Sequence, residues 1–316
     1  MRNVIIIGGG PAGFTAATYA ARSSLSPLVF AGIPGGSQIS LTAEIENFPG
    51  FENISGAELV EKMRNQAKKF GAEIMDEVVV KVDFSKRPFQ VFTSMKKFEA
   101  KSIIIATGAK PKWLGIESEE KFKGKGVGVC ATCDGFFFKN KIVAVVGGGN
   151  AALEETLQLA KVAAKVYLIH RRHELRADKV LQDRAFKNNK IEIIWDSQIV
   201  EVLGTNRVEG IKIEQIQNPK SKIQNLKVDG LFIAIGRKPN TDIFKDQMEM
   251  DEQGYIIVNK KLRSTGKFFS QQSGTSIDGV FAAGDCITPD YRQAGVAAGS
   301  GIVAALDMEK YLREIE

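Results

Sequence analysis

The 316-residue sequence predicts an α/β fold that holds two dinucleotide-binding domains, and three observations carry the prediction. A glycine-rich turn occurs twice, in "NVIIIGGGPAGFTAATYAARS" and in "KIVAVVGGGNAALEETLQLAKV". Each copy follows a short β-branched run and precedes an alanine-rich helix former, the order that a parallel βαβ unit requires. Each is completed downstream by an apolar run ending in glycine, "SIIIATGAKP" for the first and "LFIAIGRKPN" for the second.

The first turn reads Gly8-x-Gly10-x-x-Gly13, with Pro11 and Ala12 opening the helix. Its glycines allow a tight turn, close approach to a pyrophosphate and close helix-to-strand packing, and the helix N-terminus faces the phosphates. The second copy, Gly147-x-Gly149-x-x-Ala152, encloses Asn150 and Ala151 and has alanine in the third place, as the fingerprint allows. Both domains are therefore expected to be Rossmann-like.

The residue at the end of the next strand reads the ribose. In the second copy that strand, "KVYLIH", runs straight into "RRHELR". Arg171, Arg172 and Arg176 replace the acid expected for NAD, and guanidinium groups favour the 2′-phosphate of NADPH. In the first copy "PLVFAG" ends in Ala31 and Gly32 with no carboxylate, so the rule leaves the first nucleotide unidentified.

Composition excludes several classes. The hydrophobic fraction is 44%, enough for ordinary cores, and three cysteines do not make a disulfide-stapled secreted scaffold. The apolar run Val4 to Ile7 is too short for a secretory segment, and no apolar stretch approaches the roughly 20 residues of a membrane span. No membrane association is expected, and the expected compartment is a reducing cytoplasm. The net charge of +6 is spread over lysine pairs rather than gathered in a block, and no basic run is interleaved with aromatics, so nucleic-acid binding is not expected.

Cys130 and Cys133 lie in "GVGVCATCDGFFFKN". Zinc could be suspected because His170 and His173 are the only histidines, but two residues between them and the long gap from the cysteines do not fit finger spacing. No metal is expected. Burial as inert small hydrophobes is a second reading. The redox reading is more specific: a thiolate must attack a disulfide, and Asp134, next in sequence, can protonate the leaving thiolate or take the proton of the dithiol. Phe136, Phe137 and Phe138 are read as core, and Cys286 as structural.

The motifs "GGGPAG", "ENFPG", "ATGAKP", "CATCDG", "GGGNAALEE", "HRRHELRA", "IGRKPNT", "GVFAAGDC" and "RQAGVAAGSG" occur in an order and spacing that span nearly the whole chain. The chain resembles the low-molecular-weight bacterial-type thioredoxin reductases, FAD- and NADPH-dependent flavoproteins of the pyridine nucleotide-disulfide oxidoreductases. The resemblance implies that the NADPH domain, residues 112–241 with the CxxC, is inserted into an FAD domain made of residues 1–111 and 242–316.

It also implies roles. Toward FAD it places Gly8, Gly10, Pro11, Ala12 and Gly13, then Gly32, Gly35, Gly36, Gln38 and Asn47, and later Ala106, Thr107 and Gly108. Gly284 and Asp285 would meet the sugar-alcohol chain, and Arg292, Gln293 and Ala294 would open a helix whose N-terminus stabilises charge on the reduced ring. Toward NADPH it places Gly147, Gly149, Asn150, Ala151 and Glu154, then His170, Arg171, Arg172 and Arg176, and finally Ile235, Gly236 and Arg237. Cys133 would face the flavin, Cys130 would exchange with thioredoxin, and Asp134 would be the acid–base group. Homodimer formation and a rotation of one domain on the other, hinged near Pro111 and Asp242, belong to the same resemblance. The chain departs from the family in "PGGSQISLTAEIENFPG", where a threonine run usually follows GGQ, and the stretch "STGKFFSQQSGTSIDG" has no assigned role.

Two other functions stay open at this point. A related flavoprotein could serve another dithiol acceptor, such as a glutaredoxin-like protein or a peroxidase system. A non-catalytic flavin and nucleotide sensor would differ by showing no thioredoxin-stimulated oxidation of NADPH.

Overall fold

The computed structural model describes residues 1–316 except 43, 217–222, 260, 265, 266, 271 and 316. Part of the stretch "STGKFFSQQSGTSIDG" therefore lies outside the described residues. The chain divides into two compact units, Met1–Lys110 with Lys238–Glu316, and Pro111–Arg237.

The first unit begins with β1 (Arg2–Ile7), α1 (Pro11–Arg22), β2 (Leu28–Phe30), α2 (Gly56–Lys69), β3 (Glu73–Met75), β4 (Val79–Asp83), β5 (Phe89–Thr93) and β6 (Lys97–Ile105). β1 is continuously buried from Val4 to Ile7 because it pairs in parallel with β2 on one edge and β6 on the other, and interior parallel strands carry apolar residues on both faces. Ser55 caps α2 by accepting from the Glu58 N–H at 3.2 Å. Besides β1, the long β6 serves two further partners: Lys97–Ala100 pairs antiparallel with β5, while Ile103–Ile105 pairs in parallel with a strand from the end of the chain.

The chain crosses to the second unit within β7 (Ala109–Pro111). There follow α3 (Glu117–Phe122), β8 (Val127–Gly128), α4 (Ala131–Asp134), β9 (Ile142–Val146), α5 (Asn150–Ala160), β10 (Lys165–Ile169), α6 (Lys179–Phe186) and β11 (Ile191–Ile194). Next come β12 (Ser197–Gly204), β13 (Val208–Gln215) and β14 (Ile223–Leu226), an antiparallel sheet, and then β15 (Gly230–Ile233). β15 completes a parallel sheet in the order β11-β10-β9-β15-β8. Leu153, Leu159, Leu168 and Phe232 fill one side of that sheet, and Phe122, Val202, Ile211 and Ile213 pack between its other side and the antiparallel sheet.

The return crossing lies in β16 (Arg237–Pro239), followed by β17 (Lys261–Ser264), β18 (Lys267–Ser270), β19 (Val280–Ala282) and α7 (Ala294–Ile315). β19 is the strand that joins β6. Against the resemblance's Asp242, the chain rejoins the first unit at Lys238. Asn240 is already tied there, through its N–H to Gly108 O and its Nδ2 to Thr107 O, both at 2.9 Å.

In both sheets that carry a glycine turn the strand order reverses beside the strand that enters the turn, β1 in one and β9 in the other. Ligands of open α/β sheets sit at the carboxyl ends of strands at such switch points. Among the described residues no helix is long and apolar enough to cross a membrane.

Candidate active site

The first glycine turn is clasped between strands: Gly8 N–H donates to Phe30 O at 2.9 Å and Ala106 N–H to Ile7 O at 2.8 Å. Gly8 has φ +127°, and a Cβ there would overlap Ala106 O, so only glycine serves. A Cβ on Gly13 would overlap Gly8 O, so α1 closes directly onto the turn. Gly10, in extended backbone before α1, offers no side-chain cap, and Pro11 follows it. The uncapped N–H groups of the first turn suit an anion.

Gly284 and α7, from the end of the chain, close onto this turn. Gly284 (φ +78°) starts a short turn holding Asp285, and its N–H donates to Ser300 Oγ at 2.9 Å. A Cβ on Gly284 would lie 3.0 Å from Ala12 Cβ, and one on Gly301 would overlap Ala12 O. α7 is thereby pressed against the start of α1. Asn47 Nδ2 donates to Gln293 Oε1 at 3.2 Å, and Arg292 Nε donates to Pro289 O at 2.6 Å just before Ala294 begins α7. Half-buried Gly32 leads into a loop in which Gly35 and Gly36 are exposed, ahead of Gln38. Ser37, in the stretch that departs from the family pattern, places its Oγ 3.4 Å from where a Cβ of Gly10 would stand. Bare glycines, an uncapped helix and an open loop fit a dinucleotide bound over this turn. Cys286 is fully buried, donates to Ala283 O at 3.2 Å, and burial pushes its thiol up to about 11. Such a thiol is inert at neutral pH.

The second turn is built alike, with Gly149 in extended backbone before α5 and no side-chain cap. A Cβ on Gly148 would overlap the His170 ring. That ring is buried, its Nε2 lies 3.0 Å from Glu174 O, and burial holds its pKa below the usual histidine range. His170 thus packs beneath the turn. Arg176 N–H donates to Gly148 O at 2.7 Å, which ties the arginine loop to the glycines. Arg171, Arg172 and Arg176 are exposed and form no ion pair among the described residues. Three unpaired guanidiniums beside an uncapped helix have the charge and the donors that could hold a phosphate through bidentate bonds. Asn150 exchanges two hydrogen bonds with Asp178, at 2.8 and 2.9 Å, and Ala151 is half-buried beside it. Glu154, Ile235 and Gly236 are exposed and Arg237 half-buried.

Cys130 and Cys133 are joined as a disulfide, with Cα atoms 5.3 Å apart. Cys130 caps α4, its Sγ accepting from the Cys133 N–H at 3.2 Å. The Asp134 carboxyl folds back over Gly128, where a Cβ would stand 3.1 Å from Oδ2. No hydrogen bond or cation reaches it among the described residues, and burial alone raises it from 3.8 to about 6. A carboxyl titrating there can both give and take a proton near neutrality. The phenylalanines correct the sequence expectation. Phe136 and Phe137 are 66% and 38% exposed, and only Phe138 packs inward, edge-on to Phe232 at 5.2 Å. They lie in a 3-10 turn, Gly135–Phe138, whose three residues per turn send successive side chains in three directions. Among the described residues no three His, Cys, Asp or Glu side chains group as a metal site.

Residues 2–301 match the model of the pyridine nucleotide-disulphide oxidoreductases. The chain belongs to that family. It is an oxidoreductase, and this family works with a flavin and a pyridine nucleotide. A thioredoxin reductase of Rickettsia conorii is 51% identical over 314 residues, covering 98% of each chain. One from Streptomyces coelicolor is 45% identical over 315 residues, covering 99% of this chain and 94% of that one. Among solved structures, a thioredoxin reductase from Giardia duodenalis superposes with a TM-score of 0.90 at 41% identity, covering 99% of this chain and all of the other.

Proposed function

We propose that the protein carries electrons from NADPH through FAD to the Cys130–Cys133 disulfide, and from the resulting dithiol to the disulfide of thioredoxin. The observation that carries this reading is a closed CxxC disulfide beside an unpartnered carboxyl that burial holds at about 6. FAD, when bound, supplies the link between a two-electron donor and a disulfide. In the first unit Gly8–Gly13, Asn47, Asp285 and the start of α7 would hold it. In the second unit Gly147–Ala152 would hold NADPH, with Arg171, Arg172 and Arg176 to bind its 2′-phosphate.

Reduction of the pair leaves two sulfurs and one proton to manage. Asp134 protonates the sulfur released when the disulfide opens and accepts the proton when the dithiol attacks thioredoxin. Cys130 makes the mixed disulfide with thioredoxin and Cys133 resolves it. Phe136 and Phe137, exposed beside the pair, offer apolar area for a protein rather than a small-molecule disulfide. The thioredoxin reductases that this chain matches at high coverage support the same acceptor. The reading places the protein in the cytoplasm as a homodimer, which sedimentation of the flavin-loaded protein checks.

The test is NADPH oxidation with and without thioredoxin, with NADH in parallel. Cys130→Ser is expected to keep flavin reduction by NADPH and lose thioredoxin reduction. Thioredoxin turnover by that variant, or none by the wild type, overturns the proposal.

A further inference from the structure

We propose that Glu77, at the end of β3, binds the adenosine ribose of the flavin dinucleotide, in place of the acid that β2 lacks. The inference rests on the reading of the first unit as the FAD unit. In a dinucleotide fold the ribose hydroxyls meet a carboxylate at the carboxyl end of the second strand. Here that strand ends in Ala31 and Gly32. The position itself is intact: Ala31 lies against the glycine turn, since a Cβ on Gly9 would fall 2.7 Å from both Ala31 Cβ and Ala31 O. Above Gly32 a Cβ would meet nothing within 4 Å, so there is room for a sugar.

The neighbouring strand supplies the missing group. β3 runs parallel to β2, Ala31 N–H donates to Met75 O at 2.9 Å, and Gly32 N–H donates to Glu77 O at 3.2 Å. Residues 75–77 therefore travel beside Ala31 and Gly32 at the same end of the sheet. Two acids are found there. Asp76 is engaged, bidentate with Arg64 at 2.6 and 2.8 Å. Glu77 is not: its Oε2 is buried without any hydrogen-bond partner. A buried carboxylate oxygen with nothing to accept from is costly, and a ribose hydroxyl brought in by the ligand is a donor of the right kind.

The test titrates flavin-free protein with FAD and with an FAD analogue lacking the adenosine 2′-hydroxyl, reading flavin fluorescence. Wild type is expected to bind FAD about 10-fold more tightly than the analogue, in keeping with one hydrogen bond to a charged group. Glu77→Gln is expected to weaken FAD about 10-fold and to bind the two flavins equally, and Glu77→Ala to do the same. The flavin-free Glu77→Gln protein should melt no lower than wild type, because an unpartnered carboxylate has been removed. Equal binding of both flavins by wild type, or discrimination undiminished in the variants, overturns the role of Glu77 and leaves FAD binding standing. A wild type that binds neither flavin overturns the FAD reading and this inference together.

Discussion

Asp134→Asn should make the oxidised, flavin-loaded protein more stable while removing its activity. The carboxyl lies over Gly128 with neither hydrogen bond nor cation, and burial raises it from 3.8 to about 6. At about 1.36 kcal/mol per tenfold change, the difference disfavours the charged form by about 3 kcal/mol. Asparagine is neutral at every pH, so the advantage of the variant follows the titration of the wild type. Below 3.8 the carboxyl is protonated both folded and unfolded, and its folded-state preference for the proton is fully present. As pH rises through about 6 that contribution is lost. Integrated, the variant gains about 3 kcal/mol at pH 8 and roughly half as much at pH 5. Urea unfolding followed by tryptophan fluorescence reads the relevant unit alone, because the chain's two tryptophans, Trp113 and Trp195, both lie in Pro111–Arg237. Thioredoxin reduction should fall about 100-fold or more, the range for losing a general acid–base group. A variant no more stable than wild type at pH 8, or one whose gain is the same at pH 5 and pH 8, refutes the reasoning.

Removing the guanidiniums tests the nucleotide: Arg171→Ala with Arg172→Ala should cut kcat/KM for NADPH about 10- to 100-fold, the worth of charge-assisted bonds, and leave NADH unchanged. An equal loss with both nucleotides counts against a 2′-phosphate contact. Gly13→Ala puts a methyl into Gly8 O, and the protein should lose its flavin absorbance on gel filtration. Gly148→Ala meets the His170 ring rather than backbone, so KM for NADPH should rise several-fold while flavin content stays normal. Phe136→Ala with Phe137→Ala should raise KM for thioredoxin and spare flavin reduction by NADPH. Their exposure of 66% and 38% means that stability should change by less than about 1 kcal/mol.

The two glycine turns were legible because their requirement is local. Gly8 must turn at φ +127° within hydrogen-bond reach of β2 and β6, and no distant residue can relax that demand. The parallel strands were legible for the same kind of reason, since a strand buried on both faces must be apolar throughout. Other features depend on partners far along the chain. Asn240, bonded to Thr107 and Gly108, brings the return crossing forward to Lys238. The packing of the His170 ring beneath Gly148 is likewise a contact that only the folded chain makes.

By itself the sequence determined the two nucleotide folds, the cationic loop after β10 and a CxxC with an acid beside it, because each is a short pattern with one physical use. Tertiary structure alone decided the rest. Desolvation of Asp134 needs Gly128 and the surrounding second unit, the outward turn of Phe136 and Phe137 depends on the short helix that carries them, and Glu77 matters only because β3 lies next to β2. Burial and unmet hydrogen bonds are properties of neighbours, and neighbours across a sheet are not adjacent in the chain.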